Sequence, residues 1–236
     1  MSIREKLDIS AYLVIGQENC SRPVEEVVRA AVGEGFTCVQ IRSKVASARE
    51  MISTLEKSAA VIRELGKSDS VALLVDDRLD VVLAARELGI KVDGVHVGQS
   101  DIPVEVCRKY LGENSIVGLS ARTEELIDYV KSADVSHIDY FGAGPLHETK
   151  TKLDAGKTSD GRIITHDFAE IAELVKVSPR PIVVGGGVKL KDIPALAATK
   201  VQGFFVVSAV AGADNPKLAA RELVEAWRNN EQTILR

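Results

Sequence analysis

Apolar residues along the chain gather into eight short runs, at residues 11–16, 36–41, 70–75, 93–97, 115–119, 137–141, 181–184 and 203–207. Each run is rich in Val, Ile, Leu or Phe and too short for a helix. Such runs are the pattern of a strand buried on both faces, as parallel strands are. Between them, apolar positions recur at helical spacing over residues 23–34, 47–65, 79–88, 103–111, 123–132, 168–177, 190–198 and 216–227. In the second of these, Met51, Ile52, Leu55, Ala59 and Ile62 mark one helical face. Pro23 suits a first helical turn, and Gly66, Gly89 and Gly112 suit helix ends. The order is strand then helix, eight times. The pattern therefore predicts an α/β chain forming a single (β/α)8 TIM barrel over residues 1–236, with a short polar N-terminal segment at 1–10. An open doubly wound sheet is the competing arrangement. The least regular stretch, residues 150–165, reads as a long loop after the sixth strand. Its part at 153–165 is either a mobile lid or a solvated insertion.

Composition narrows the partners. Of 236 residues, 45% are hydrophobic and 27% charged, which excludes disorder for most of the chain. Lys and Arg number 30 against 34 Asp and Glu, so no basic excess exists to hold a nucleic-acid backbone. A small basic pocket for a phosphorylated metabolite remains compatible with that balance. No run approaches the roughly 18 apolar residues of a membrane span, and the N-terminus lacks a signal-peptide pattern. A cytoplasmic protein acting on small molecules is expected, with neither nucleic acid nor membrane as partner; a homo-oligomer is left open. Cys20, Cys38 and Cys107 show no CxxC spacing and read as buried thiols in a reducing compartment.

In a βα barrel, chemistry sits where strands end and loops begin. The second strand ends in Gln40, Ile41, Arg42, Ser43 and Lys44, and alternation puts Gln40, Arg42 and Lys44 on one side. They suit an anionic group, or else are a solvated strand end. The third ends in Asp76, Asp77 and Arg78. Either carboxylate is a candidate cap for the next helix, with Arg78 as its ion-pair partner. Asp101, after the fourth strand, also resembles a cap. Yet Asp77 and Asp101 leave adjacent strands, and two facing carboxylates beside phosphate oxygens are how proteins usually hold Mg²⁺. His96 reads as a neutral packed ring. Ser120 lacks a nucleophile elbow and reads as a hydrogen-bond donor to substrate or a helix cap.

After the sixth strand come Gly142, Ala143, Gly144 and Pro145, then Thr149, Lys150, Thr151 and Lys152, a compact anion trap or a polar loop. Gly185, Gly186 and Gly187 follow the seventh strand, and Val207 and Ser208 end the eighth. Glycines and backbone N–H groups on the last two strands form the recurrent phosphate site of such barrels. One end of the mouth thus suits a phosphate monoester and the other a metal-bound diphosphate. Two phosphorylated ligands facing each other imply group transfer with diphosphate leaving.

These strand ends resemble those of the thiamine-phosphate synthase (thiamine-phosphate pyrophosphorylase) family. The carriers are QIRSK at 40–44, DDR at 76–78, DGVHVGQSD at 93–101, GLSART at 118–123, DYFGAGP at 139–145, TKTK at 149–152, VVGGGV at 183–188 and VVSAV at 206–210. The resemblance implies a transferase of thiamine biosynthesis. The thiazole phosphate nitrogen displaces the diphosphate of a hydroxymethylpyrimidine, and the aminopyrimidine stabilises a benzylic-type cation. It implies pyrimidine diphosphate contacts at Gln40, Arg42, Lys44, Asp76, Ser120 and Lys152, with Arg42, Lys44, Ser120 and Lys152 serving catalysis. It implies Mg²⁺ at Asp77 and Asp101, and thiazole phosphate at Thr149, Thr151, Gly187, Val207 and Ser208.

Three positions depart from the family pattern. Asp76 stands for the usual Asn, Ser43 for Glu and Arg122 for His. A thiazole tautomerase relative needs neither diphosphate nor metal pair, so Asp77, Asp101, Arg42 and Lys44 discriminate against it. A non-catalytic paralogue binding thiamine phosphate or the thiazole is the other alternative. A phosphate-binding isomerase needs an acid–base pair that the strand ends do not supply.

Overall fold

The computed structural model describes residues 2–149, 156, 158 and 161–234. Eight parallel strands close into a barrel in chain order: β1 (Ala11–Ile15), β2 (Cys38–Ile41), β3 (Ala72–Asp76), β4 (Gly94–Val97), β5 (Ile116–Ser120), β6 (Tyr140–Ala143), β7 (Ile182–Val184) and β8 (Gly203–Val206). β8 returns to pair with β1 through Ala11 opposite Phe204 and Leu13 opposite Val206. The barrel fold expected from the eight apolar runs is the one observed.

Alternate strand residues serve two cores, which is why the runs are apolar throughout. Leu13, Val39, Leu73, Val95, Val117 and Phe141 point outward into one core shared with the helices. Tyr12, Val14, Cys38, Leu74, Ile116, Tyr140 and Val183 fill the barrel interior. The helices are α1 (Val24–Glu34), α2 (Ala48–Glu64), α3 (Leu79–Glu87), α4 (Val104–Leu111), α5 (Leu126–Ser132), α6 (Phe168–Val177), α7 (Ile193–Ala198), α8 (Ser208–Ala211) and α9 (Pro216–Ile234). Ser47 starts α2 with a reciprocal capping box to Glu50, and Asp167 caps α6 by accepting from Glu170 N at 2.8 Å. Trp227 of α9 packs on Phe204 with ring centroids 5.4 Å apart, seating the last helix over the barrel seam. No helix among the described residues is long and apolar enough to cross a membrane.

The amino-terminal face of the barrel is closed by residues 2–9. Ile3, Leu7 and Ile9 cover the interior core, and Arg4 Nε lies 2.7 Å from Asp139 Oδ1. The other Asp139 oxygen accepts from Arg108 Nη2 at 2.8 Å and from Val117 N at 2.7 Å. This buried cluster ties the closing segment to β5 and α4.

Several boundaries move. The sixth strand was expected at 137–141 and runs at Tyr140–Ala143, because Asp134 accepts from Ser136 N at 2.9 Å and holds the preceding residues in a turn. The helix expected at 123–132 begins only at Leu126, after Glu125 in the left-handed region at φ 53°. The first turn of the segment at 190–198 is a 3₁₀ turn, Leu190–Asp192. Cys38 and Cys107 are buried and Cys20 half-buried, all as free thiols.

Candidate active site

The carboxyl ends of the strands open into a cavity lined from β2, β3, β4 and β5 on one side by Gln40, Arg42, Asp76, His96 and Ser120. From β7 and β8 on the other side come Gly186, Gly187, Val207 and Ser208, with Thr149 and Gly144 from the loop after β6. This is the end of the fold where barrel enzymes place their chemistry.

The β2 and β3 side is a charged cluster. Gln40 is buried and donates its side-chain amide to Asp76. Arg42 Nε lies 3.1 Å from the other Asp76 oxygen, with both side chains nearly buried. Burial pushes the Asp76 carboxyl up to about 7, and the neighbouring Asp77 charge adds to this while Arg42 opposes it. Lys44, half-exposed, pairs with Asp77. Burial works to raise the Asp77 carboxyl, but donation from Lys44 and a hydrogen bond with Asp101 outweigh it, so Asp77 titrates below the ordinary range. Asp101 is raised, first by burial and then by Asp77. Asp77 and Asp101 thus act on each other's titration, and neither is among the side chains that line the cavity. Asp77 sits in the left-handed region at φ 61°, which aspartate tolerates better than most residues.

The capping roles considered for these aspartates are not the observed ones. α3 begins after Arg78 without a side-chain cap, and Arg78 pairs with Asp80 at 2.6 Å rather than with Asp76 or Asp77. Asp101 accepts from Gly98 N at 2.8 Å, closing its own loop, while α4 starts after Pro103 without a side-chain cap. Ser120 caps nothing either; its Oγ lies 2.9 Å from His96 Nε2.

His96 is a ring packed in the barrel, as expected, with its centroid 5.5 Å from that of Tyr140. Beyond that expectation it lines the cavity and bridges Ser120 to Tyr140, whose Oη is 2.9 Å from His96 Nδ1. Tyr12 and Tyr140 were missed altogether. The signal lay in alternation: both are polar-tipped rings at inward positions of buried strands. The strand register sets Asp76, His96, Gly118 and Tyr140 side by side on four successive strands.

The β7 and β8 side is built from backbone. Gly186 and Gly187 have φ of 79° and 74°, conformations an L side chain resists. Leu146 N and His147 N each donate at 2.9 Å to the carbonyls of Gly185 and Gly186, packing the loop after β6 against them. Val207 precedes the single turn of α8, whose first N–H groups lack intrahelical partners by geometry. Thr149 lines the cavity; Lys150, Thr151 and Lys152 lie outside the described residues. So do most of the residues at 153–160, although Gly156 and Thr158 are buried and Ile164 N donates to Gly156 O at 2.8 Å.

The two other departures stand apart from the cavity lining. Ser43 Oγ accepts from Val45 N at 3.2 Å and Ala46 N at 2.9 Å, folding its own loop. Arg122 lies 5.2 Å from the centroid of the Tyr129 ring.

A closed barrel with a charged rim on β2–β4 and a glycine-lined seat on β7 and β8 defines an enzyme for phosphorylated small molecules. The model of thiamine monophosphate synthase matches residues 11–210, and the chain belongs to that family. It is 38% identical to the thiamine-phosphate synthase of Corynebacterium efficiens, over 98% of this chain and 100% of that one. It is 37% identical to that of Vibrio parahaemolyticus, over 90% of this chain and 95% of that one. Among solved structures, thiamine phosphate pyrophosphorylase from Pyrococcus furiosus superposes with a TM-score of 0.77 at 28% identity, covering 97% and 99% of the two chains. Family membership makes the chain a transferase of thiamine biosynthesis.

Proposed function

We propose that the cavity joins a hydroxymethylpyrimidine diphosphate to a thiazole phosphate, yielding thiamine phosphate and diphosphate. The observation that carries this is the division of the mouth: Arg42 and Lys44 with three carboxylates on one side, positive-φ glycines and the β8 end on the other. In the reaction the bond between the pyrimidine methylene and the diphosphate oxygen breaks, and the diphosphate keeps the electron pair. The thiazole nitrogen supplies its lone pair to the methylene carbon. No general base is required, because that nitrogen already holds its lone pair free of a proton.

In this reading Arg42, Lys44 and Lys152 hold the diphosphate and stabilise the charge developing on it. Gln40, Asp76 and Ser120 contact the pyrimidine. Thr149, Thr151, Gly187, Val207 and Ser208 hold the thiazole ester. The enzyme chiefly fixes two ligands in reactive proximity.

Asp77 and Asp101 fit a Mg²⁺ ion. They are mutually close, partly buried carboxylates next to the diphosphate side, and among the described residues no third His, Cys, Asp or Glu joins them. Mg²⁺ favours such sparse carboxylate sites, completed by water and phosphate oxygens. Bound there, it would neutralise charge on the leaving diphosphate. The same reading takes residues 1–236 as one barrel domain acting in the cytoplasm on these two small molecules.

The test is direct. Purified protein, both substrates and Mg²⁺ should give thiamine phosphate, detected by chromatography. Its absence with a folded protein overturns the proposal.

A further inference from the structure

One continuous chain of hydrogen bonds crosses the barrel interior beneath the mouth, and the donors in it can be assigned from one end. Gln40 gives its amide N–H to Asp76, whose other oxygen faces Arg42 Nε at 3.1 Å. The Gln40 carbonyl Oε1 therefore points to Tyr12, whose hydroxyl donates to it at 2.6 Å. A phenol has one proton, so Tyr12 is committed, and the 2.8 Å contact between Tyr12 and Tyr140 uses the Tyr140 proton. Tyr140 is then committed as well. Its 2.9 Å contact with His96 Nδ1 requires that nitrogen to carry hydrogen. With its one ring proton placed at Nδ1, the imidazole keeps a lone pair at Nε2 for the proton of Ser120 Oγ, 2.9 Å away. Burial raises both phenols well above their ordinary range, so each remains an O–H.

The outcome is that Ser120 reaches the cavity with lone pairs only. We infer that Ser120 is a committed acceptor for the exocyclic amino group of the pyrimidine, and that His96, Tyr140 and Tyr12 are positioning residues that impose this polarity. The inference rests on the function proposed above for its ligand, and on the hydrogen-bond chain alone for its direction. It reverses the donor role expected of Ser120. A site built this way selects an amino substituent and sets acceptor against acceptor when the amine is replaced by oxygen.

Two measurements test it. In the free protein, nitrogen-15 NMR of the His96 ring, assigned by loss of its signal in His96→Gln, should show a protonated Nδ1 and an unprotonated Nε2. A ring protonated at Nε2, alone or at both nitrogens, overturns the inference. Calorimetric affinities should then be compared for the amino pyrimidine diphosphate and its 4-oxo analogue, without the thiazole partner. Wild type should prefer the amine by about tenfold or more, the worth of one hydrogen bond. Tyr140→Phe and Ser120→Ala should erase most of that preference and change thiazole phosphate affinity less than twofold. An unaltered preference in a folded Tyr140→Phe overturns the inference. If that variant does not fold, the wild-type ring signal and Ser120→Ala decide. A wild-type protein that makes no thiamine phosphate overturns the function reading and with it the amino-group assignment. A working enzyme with hydrogen on His96 Nε2 overturns this inference alone.

Discussion

His96 Nδ1 lies 2.9 Å from Tyr140 Oη, although β5 runs between their strands, because the residue between them in the register is Gly118. A Cβ on Gly118 would stand 2.3 Å from Tyr140 Cζ and 2.5 Å from His96 Nδ1. Tyr140 is fully buried, so its ring cannot turn into solvent to relieve the clash. Gly118→Ala should therefore cost about 3 kcal/mol, the upper part of the usual overpacking range. For a chain of this size that is a fall in Tm of about 6–12 °C. Gly142→Ala, whose Cβ would sit 3.0 Å from His96 Cε1, should cost clearly less. Thermal unfolding of both variants checks the order; equal melting would contradict the register argument.

The ion pair between Arg42 and Asp76 sets up a second expectation. In the proposed reading Arg42 holds the diphosphate, yet its Nε is already 3.1 Å from a buried carboxylate. Asp76 thus competes with the substrate for Arg42 and repels its charge. Asp76→Asn retains an oxygen for the Gln40 amide while removing the negative charge. It should lower KM for the pyrimidine diphosphate by about three- to tenfold, roughly 1 kcal/mol. KM for the thiazole phosphate should stay within twofold. Steady-state kinetics decide, and a raised KM for the diphosphate would refute the competition.

Asp77 and Asp101 should behave as a pair. Asp77→Ala and Asp101→Ala are each expected to lose about a hundredfold or more in Mg²⁺-dependent turnover, since charge neutralisation at the leaving group is worth several kcal/mol. Stability should fall by no more than about 1 kcal/mol, because the Lys44 left behind by Asp77 is half-exposed and can be hydrated. Turnover titrated against Mg²⁺ separates the cases. A variant with full turnover at millimolar Mg²⁺ removes that carboxylate from the metal assignment.

The barrel was legible because its strands bury both faces. Leu13 and Tyr12 serve different cores but are equally apolar in profile, so each strand reads as an unbroken run. The charged rim was legible for the opposite reason: Asp76, Asp77 and Arg42 interrupt those runs at the carboxyl ends of the strands. Boundaries at α5 and β6 were not, since left-handed Glu125 and the Asp134 turn are local backbone choices without an apolar signature. The Tyr12, Tyr140 and His96 chain was hidden more deeply. Its members sit on three strands, far apart in sequence, and only the barrel register makes them neighbours. Arg78 shows the converse, where sequence proximity to Asp76 and Asp77 suggested a pair and Asp80 on the helix took it.

The phosphate seat proposed on β7 and β8 should respond separately from the rim. A Cβ on Gly187 would meet His147 Cβ at 2.9 Å, and its φ of 74° already disfavours a side chain. Gly187→Ala must shift the loop that lines the seat. Together with Ser208→Ala, which removes an exposed hydroxyl from the β8 end, it should raise KM for the thiazole phosphate about tenfold, the loss of about one hydrogen bond to a charged group. The pyrimidine diphosphate KM should move less than twofold. Equal effects on both substrates would contradict the divided mouth.

The opposite face of the barrel offers a control in which stability changes and chemistry does not. Asp139 holds Arg4 and Arg108 at 2.7 Å and 2.8 Å, and the Arg108 side chain is only 4% exposed. Arg108 Nη1 also donates to Ser115 O at 2.6 Å, so it cannot swing out without breaking a second buried bond. Asp139→Ala leaves a buried guanidinium without its counter-charge and Val117 N without its acceptor. Such a loss costs about 3–5 kcal/mol. Tm should fall by about 6–20 °C. Because this cluster lies at the end of the strands remote from the cavity, kcat and both KM values measured well below the new Tm should remain within twofold of wild type. A selective loss of kcat in a protein still folded at the assay temperature would mean that the amino-terminal face positions the active site, against the separation of roles between the two ends of the barrel.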